Sequence, residues 1–235
     1  MPGAIRNEID VWRAGQARIS DGTERLGLAA HIALTFDDGP DPVWTPRVLD
    51  ALADAGVLAT FFVVAPLAER HPGLLRRAAD EGHEVALHCN RHVRHDQMSA
   101  AEILADTAEA LRTLRDLDHQ VYDWRVPWGV VTGDTEEVAA DLGLRLVGWT
   151  ADSEDWRGDA AGEMLGQLAL GVEAGAVVLM HDAVGPGALR KGCAATVDLV
   201  APLVSMADSH NLTPVPLGRM PGRLPVRNPG TVSGV

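Results

Sequence analysis

Two patterns of apolar and polar residues alternate along this chain. Short, almost wholly apolar runs at Ile32–Phe36, Ala59–Val64 and Ala176–Met180 read as strands covered on both faces. Between them, apolar residues recur three and four apart, as at Val48, Leu49, Leu52 and Ala53, then at Leu74, Leu75, Ala78 and Ala79. The same spacing returns at Ile103, Leu104, Ala108, Leu111 and Leu114. Those stretches predict amphipathic helices. Thr45 is the expected N-cap of the first, with Pro46 at its first helical position. Ser99-Ala100-Ala101-Glu102 is a capping-box pattern, and Gly56, Gly82 and Gly143 close helices.

In order, the pattern predicts strands over 32–36, 59–64, 84–87, 121–124, 144–149 (ending near Asp152), 176–180 and 212–217. Helices are predicted from 45 to 56, 72–80, from 99, 135–142, 160–172 and 194–209. Such alternation argues for parallel β/α units. About seven strands in 235 residues point to a distorted or incomplete (β/α) barrel. Residues 31–217 are expected to form that barrel. Residues 1–30, with weak helical spacing over Glu8–Ile19, are expected to pack on it, and 218–235 form a Gly/Pro-rich tail.

Composition narrows the partners. A formal net charge of −13 makes nucleic acid and anionic membrane surfaces poor partners. No apolar run reaches the ~20 residues a spanning helix needs. Cys89 and Cys193 make neither a disulfide framework nor a zinc motif. The first residues lack a basic stretch followed by an apolar one, so a cytoplasmic protein is expected, or a secreted one if a signal was removed.

Polar groups gather at the predicted C-terminal ends of the strands: Asp37 and Asp38, His88 and His92, Arg125, Asp152 and Asp155, and His181. In a parallel barrel those ends share one face. Taken alone, Asp37-Asp38-Gly39-Pro40 is equally a solvated strand-to-loop turn. His88 and His92 are either solvated loop histidines or an H-x-x-x-H pair that reaches one ion from a helical turn. With an Asp as third ligand, the pair becomes the His₂-carboxylate set of hydrolytic zinc.

At these positions the chain resembles the NodB-homology polysaccharide deacetylases, carbohydrate esterase family 4. The resemblance runs over residues 30–217. It rests on Thr35-Phe36-Asp37-Asp38-Gly39, His88 with His92, Arg125-Val126-Pro127-Trp128-Gly129, Asp152-Ser153-Glu154-Asp155-Trp156 and Leu179-Met180-His181. It implies a divalent metal, zinc first and cobalt or nickel next, held by Asp38, His88 and His92. It implies Asp37 as general base oriented by Arg125, and His181 as general acid with Asp152 behind it. Trp128, through its backbone N–H, with Pro127, Trp156 and Leu179, would face the substrate. Asp155 is expected to be structural, with contact to the site as the alternative, and His31, His71, His83, His95, His119 and His210 to be structural or surface groups.

The implied reaction removes an N-acetyl group from an amino sugar, either a chito-oligosaccharide, a peptidoglycan-type glycan or a small metabolite. An O-acetyl ester or another amide is the alternative bond, and a silent glycan-binding module the alternative class. Cys89, Arg91, Val126 and Trp128 depart from the family's usual residues. Cys89 is expected to pack as a small hydrophobe. Arg91 is expected to bring a cation near the site.

Overall fold

The computed structural model describes residues 30–220. The readings made for 1–29 and 221–235 lie outside them. β1 (Ala30–Asp37) is followed by α1 (Trp44–Asp54), β2 (Thr60–Val64), α2 (Ala65–Arg70), α3 (Pro72–Asp80) and β3 (Glu84–Cys89). α4 (Ala100–Asp116), β4 (Asp123–Trp124), α5 (Gly133–Leu142), β5 (Arg145–Leu146) and β6 (Ala151–Asp152) come next. α6 (Ala161–Leu168), β7 (Val177–His181), α7 (Ala194–Ser209) and β8 (Leu212–Pro214) complete the order.

The strands pair in parallel in the order β5-β4-β3-β2-β1-β7-β6, with β8 on the start of β1. The result is a curled, incomplete barrel whose end strands are β5 and β6. The period of two along β1 sorts its side chains. Ile32, Leu34 and Phe36 enter the main core with the helices, while Ala33, Thr35 and Asp37 share the other face. Low in the barrel that face meets a second cluster of Phe62, Ala86, Val147 and Val177, which Leu217 and Met220 plug. Phe36 stacks on Phe61 with centroids 5.2 Å apart. Each such buried ring contributes about 1.5–3 kcal/mol. Among the described residues no helix is long and apolar enough to cross a membrane.

Three elements differ from expectation. The single strand predicted over 144–152 is two strands on opposite edges of the sheet, β5 and β6. Between them Val147 and Gly148 offer their carbonyls to the Arg125 side chain, at 3.4 and 3.0 Å. Thr45 is not the N-cap of α1. The Asp41 carboxylate takes the N–H groups of Val43 and Trp44, and Thr45 is buried inside the first turn. α2, unpredicted, starts directly at the end of β2 with Pro66 in its first turn. Its brevity leaves too few apolar positions to show a period.

Candidate active site

Asp37 ends β1 on the inward face, and Asp38 follows in left-handed backbone (φ 75°), which aims the two adjacent carboxylates differently. The Gly39–Pro40 peptide that follows is cis. Asp37 Oδ1 accepts from Arg125 Nη1 at 2.8 Å, and the same nitrogen donates to Thr35 Oγ1 at 2.7 Å. Both partners of this ion pair are buried. Loss of one partner would strand a charge in low dielectric, at a cost of about 3–5 kcal/mol.

Asp38 turns instead toward the histidines. Its Oδ1 lies 3.4 Å from His88 Nε2 and 3.2 Å from His92 Nε2. One ligand atom from each of Asp38, His88 and His92 falls within 4.8 Å of the others. His88 Nδ1 is 2.7 Å from the Arg125 carbonyl, which only accepts, so Nδ1 carries the proton and Nε2 is left as a lone pair. Asp38 Oδ1 is buried without a hydrogen-bond partner among the described residues. Lone pairs facing one another with no donor between them fit a bound cation.

The His88–His92 pair is not helical. His88 lies in β3, and the chain bends through Asn90 and Arg91 before His92. Asp106 on α4 holds that bend, accepting the N–H groups of Asn90 and Arg91 at 3.2 and 3.1 Å. Arg91 Nε also donates to Asp106, at 2.7 Å, so the expected extra cation is committed to this carboxylate. Cys89 is buried and free, with its thiol pushed well up by burial, as suits a packing residue.

His181 ends β7 in register with Asp37 on β1. Its partner is Asp155 and not the expected Asp152. Asp155 Oδ1 lies 2.6 Å from His181 Nδ1, and Oδ2 accepts the His181 N–H at 3.0 Å. Asp152 turns its carboxylate to the Glu154 N–H at 2.7 Å. The reason is the short turn Asp155–Arg157, entered through left-handed Glu154 (φ 51°), which carries Asp155 back under β7. Burial works against protonating His181, but Asp155 outweighs it and raises the ring to about 9. Burial raises Asp152.

These groups line one cavity of about 280 Å³. Asp37, Asp38, His88, His92, Asp152, His181 and Arg190 form its polar part, and Trp128, Trp149, Trp156 and Leu179 stand among its apolar walls. Trp128 has left-handed backbone (φ 54°), costly for a bulky residue at about 1–3 kcal/mol, and its ring stands edge-on to His92 at 4.2 Å. Pro127 is buried, and the wall takes Val126, Trp128 and Gly129 instead.

Sequence reasoning missed Asp155 as a partner, although Asp155 stands in a quoted motif. It missed Asp106, Arg190 and Asp182 altogether. Asp182, raised by burial to about 7, lies under Gly39 and accepts from Thr45 Oγ1 at 2.5 Å. Nothing in its local sequence pattern distinguishes it from a surface acid.

Residues 28–147 match the family model described as polysaccharide deacetylase. The chain belongs to the polysaccharide deacetylase family. A chitooligosaccharide deacetylase of a Bradyrhizobium species is 37% identical over 167 residues, 70% of this chain and 76% of that protein. A peptidoglycan-N-acetylglucosamine deacetylase of Listeria monocytogenes is 36% identical over 169 residues, 72% of this chain but 34% of that larger protein. The solved structure of a family 4 carbohydrate esterase from Streptomyces lividans, in complex with acetate, superposes with a TM-score of 0.71 and 27% identity. It covers 79% of this chain and 91% of that one. This polysaccharide deacetylase family member is thus a hydrolase. The family suggests a divalent metal, and Asp38, His88 and His92 could hold it.

Proposed function

We propose that this family member hydrolyses the acetamide of an N-acetylglucosamine-type sugar, one residue at a time, with zinc at Asp38, His88 and His92. The observation that carries the reading is that Asp37, paired with Arg125, and His181, paired with Asp155, line the same cavity as that donor set. Two imidazoles and one carboxylate are a zinc set that leaves positions open, and cobalt or nickel fits the same donors. A divalent ion there supplies Lewis acidity toward the carbonyl and toward water.

The remaining steps belong to the chain. Asp37, kept oriented by Arg125, takes a proton from the attacking water. The Trp128 backbone N–H at the rim is the candidate donor to the developing oxyanion, a role worth about 3–4 kcal/mol. His181 gives its proton to the nitrogen as the C–N bond breaks, and acetate and a free amine leave. Trp156 and Leu179 wall the space for the acetyl methyl. A cavity of about 280 Å³ holds one N-acetylated ring, at the small end of ligand pockets.

The test is acetate release by zinc-loaded protein, before and after chelation. Substrates would be an N-acetylglucosamine oligomer, the monosaccharide and an O-acetylated sugar. Release from either N-acetyl substrate, lost on chelation and restored by zinc, supports the reading. Release from the O-acetyl sugar alone would replace the amide by an ester. Chelator-insensitive turnover would overturn the metal.

A further inference from the structure

Arg190 lies in the loop between β7 and α7 and belongs to none of the motifs read from the sequence. Its side chain is 5% exposed and lines the active-site cavity. Nη1 donates to Asp155 Oδ2 at 2.7 Å and to Thr196 Oγ1 at 2.6 Å, while Nη2 donates to the carbonyls of His181 and Ala183 at 3.1 and 2.8 Å. Thr196 Oγ1 in turn donates a hydrogen bond to Asp155 Oδ2 at 2.7 Å.

Asp155 therefore has His181 on one oxygen, and Arg190, Thr196 and the His181 N–H on the other. A carboxylate with one partner can rotate and slide; one clamped at both oxygens cannot. Because Arg190 also holds the His181 carbonyl, one guanidinium fixes the acid and its carboxylate relative to each other. The same residue anchors the loop. Its N–H and that of Leu189 both reach the Trp156 carbonyl. At the loop's other side Gly185 lies so close to Asp38 that a Cβ there would overlap the carboxylate.

We infer that Arg190 is a positioning residue for the proton transfer to the leaving amine, acting through Asp155 and His181. The inference rests on the reading of His181 as the general acid. A planar fork that spans a carboxylate and two carbonyls is a task lysine cannot duplicate. A displaced acid harms an amide most, because an alkylamine must be protonated as it leaves. It harms an aryl ester little, because nitrophenolate leaves without a proton.

The experiment compares the zinc-loaded wild type with Arg190→Met, Arg190→Lys and His181→Asn. Substrates are an N-acetylglucosamine oligomer and 4-nitrophenyl acetate, with zinc content measured throughout. Arg190→Met should keep zinc and lose about tenfold to hundredfold in kcat on the amide, with KM nearly unchanged and a much smaller loss on the ester. Arg190→Lys should fall between and serves alone if the methionine variant does not fold. Wild-type kcat on the amide, or equal losses on both substrates, would overturn the inference. His181→Asn must show the same amide-selective loss; if it does not, the acid assignment fails first.

Discussion

Asp155 Oδ1 stands 2.6 Å from His181 Nδ1, while Asp152, three residues earlier, faces the Glu154 N–H. Nδ1 thereby donates toward Asp155, and in the proposed mechanism Nε2 serves the substrate. Asp155→Asn should lower kcat by about 10²-fold or more, the scale of a positioned proton transfer. Asp152→Asn should cost far less. Steady-state kinetics on the N-acetyl substrate decide between them, and the opposite order would restore Asp152 as the partner.

Asp37 and Arg125 form a buried pair beside the metal-ligand set, and Asp37 is not itself in that set. Asp37→Asn keeps the shape and removes the proposed base. Its turnover should drop about 10²–10⁴-fold with zinc stoichiometry unchanged. Metal analysis alongside kinetics checks both halves; loss of zinc would make Asp37 a ligand.

Asp106 braces the bend between His88 and His92, the proposed metal ligands, by accepting two backbone N–H groups. Asp106→Ala should weaken zinc binding by about 10–100-fold, as losses behind a ligand shell do. Arg91→Ala, which removes a side chain 59% exposed, should change affinity little. Competition with a chromophoric chelator measures both.

The pH dependence follows from His181, raised from the ordinary 6.5 to about 9. A raised value means that the protonated ring stabilises the fold. That contribution is complete below about 6.5 and disappears as pH climbs through about 9. Activity should likewise hold through neutral pH and fall on the basic side. Asp37 and Asp38 supply part of the shift, so a cation beside them draws the basic limb to lower pH. NMR titration of metal-free protein should place the ring near the higher value, and Asp155→Asn should lower it.

How much was legible depends on whether a residue's role is local. The alternation of apolar runs and helical stripes, the Ser99 capping box and the strand-tip acids follow from residues near in sequence, and the structure has them. Strand 144–152 misled because β5 and β6 lie next to each other in the chain and at opposite edges of the sheet. Thr45 misled because a threonine beside Pro46 resembles a cap, whereas burial assigns its hydroxyl to Asp182, 137 residues away.

The sequence by itself determined a parallel β/α architecture, its family, and which residue types stand at the strand ends. Period and spacing encode the architecture and the strand ends directly, since each is set by backbone geometry within a few residues, whereas the family came from the resemblance of five motifs. Only the tertiary structure decided that Asp155 pairs with His181, that Asp106 holds the bend between His88 and His92, and that Arg190 bonds Asp155. Those choices depend on turns such as left-handed Glu154 and on contacts between distant segments, where a shift of a few ångströms exchanges one carboxylate for another.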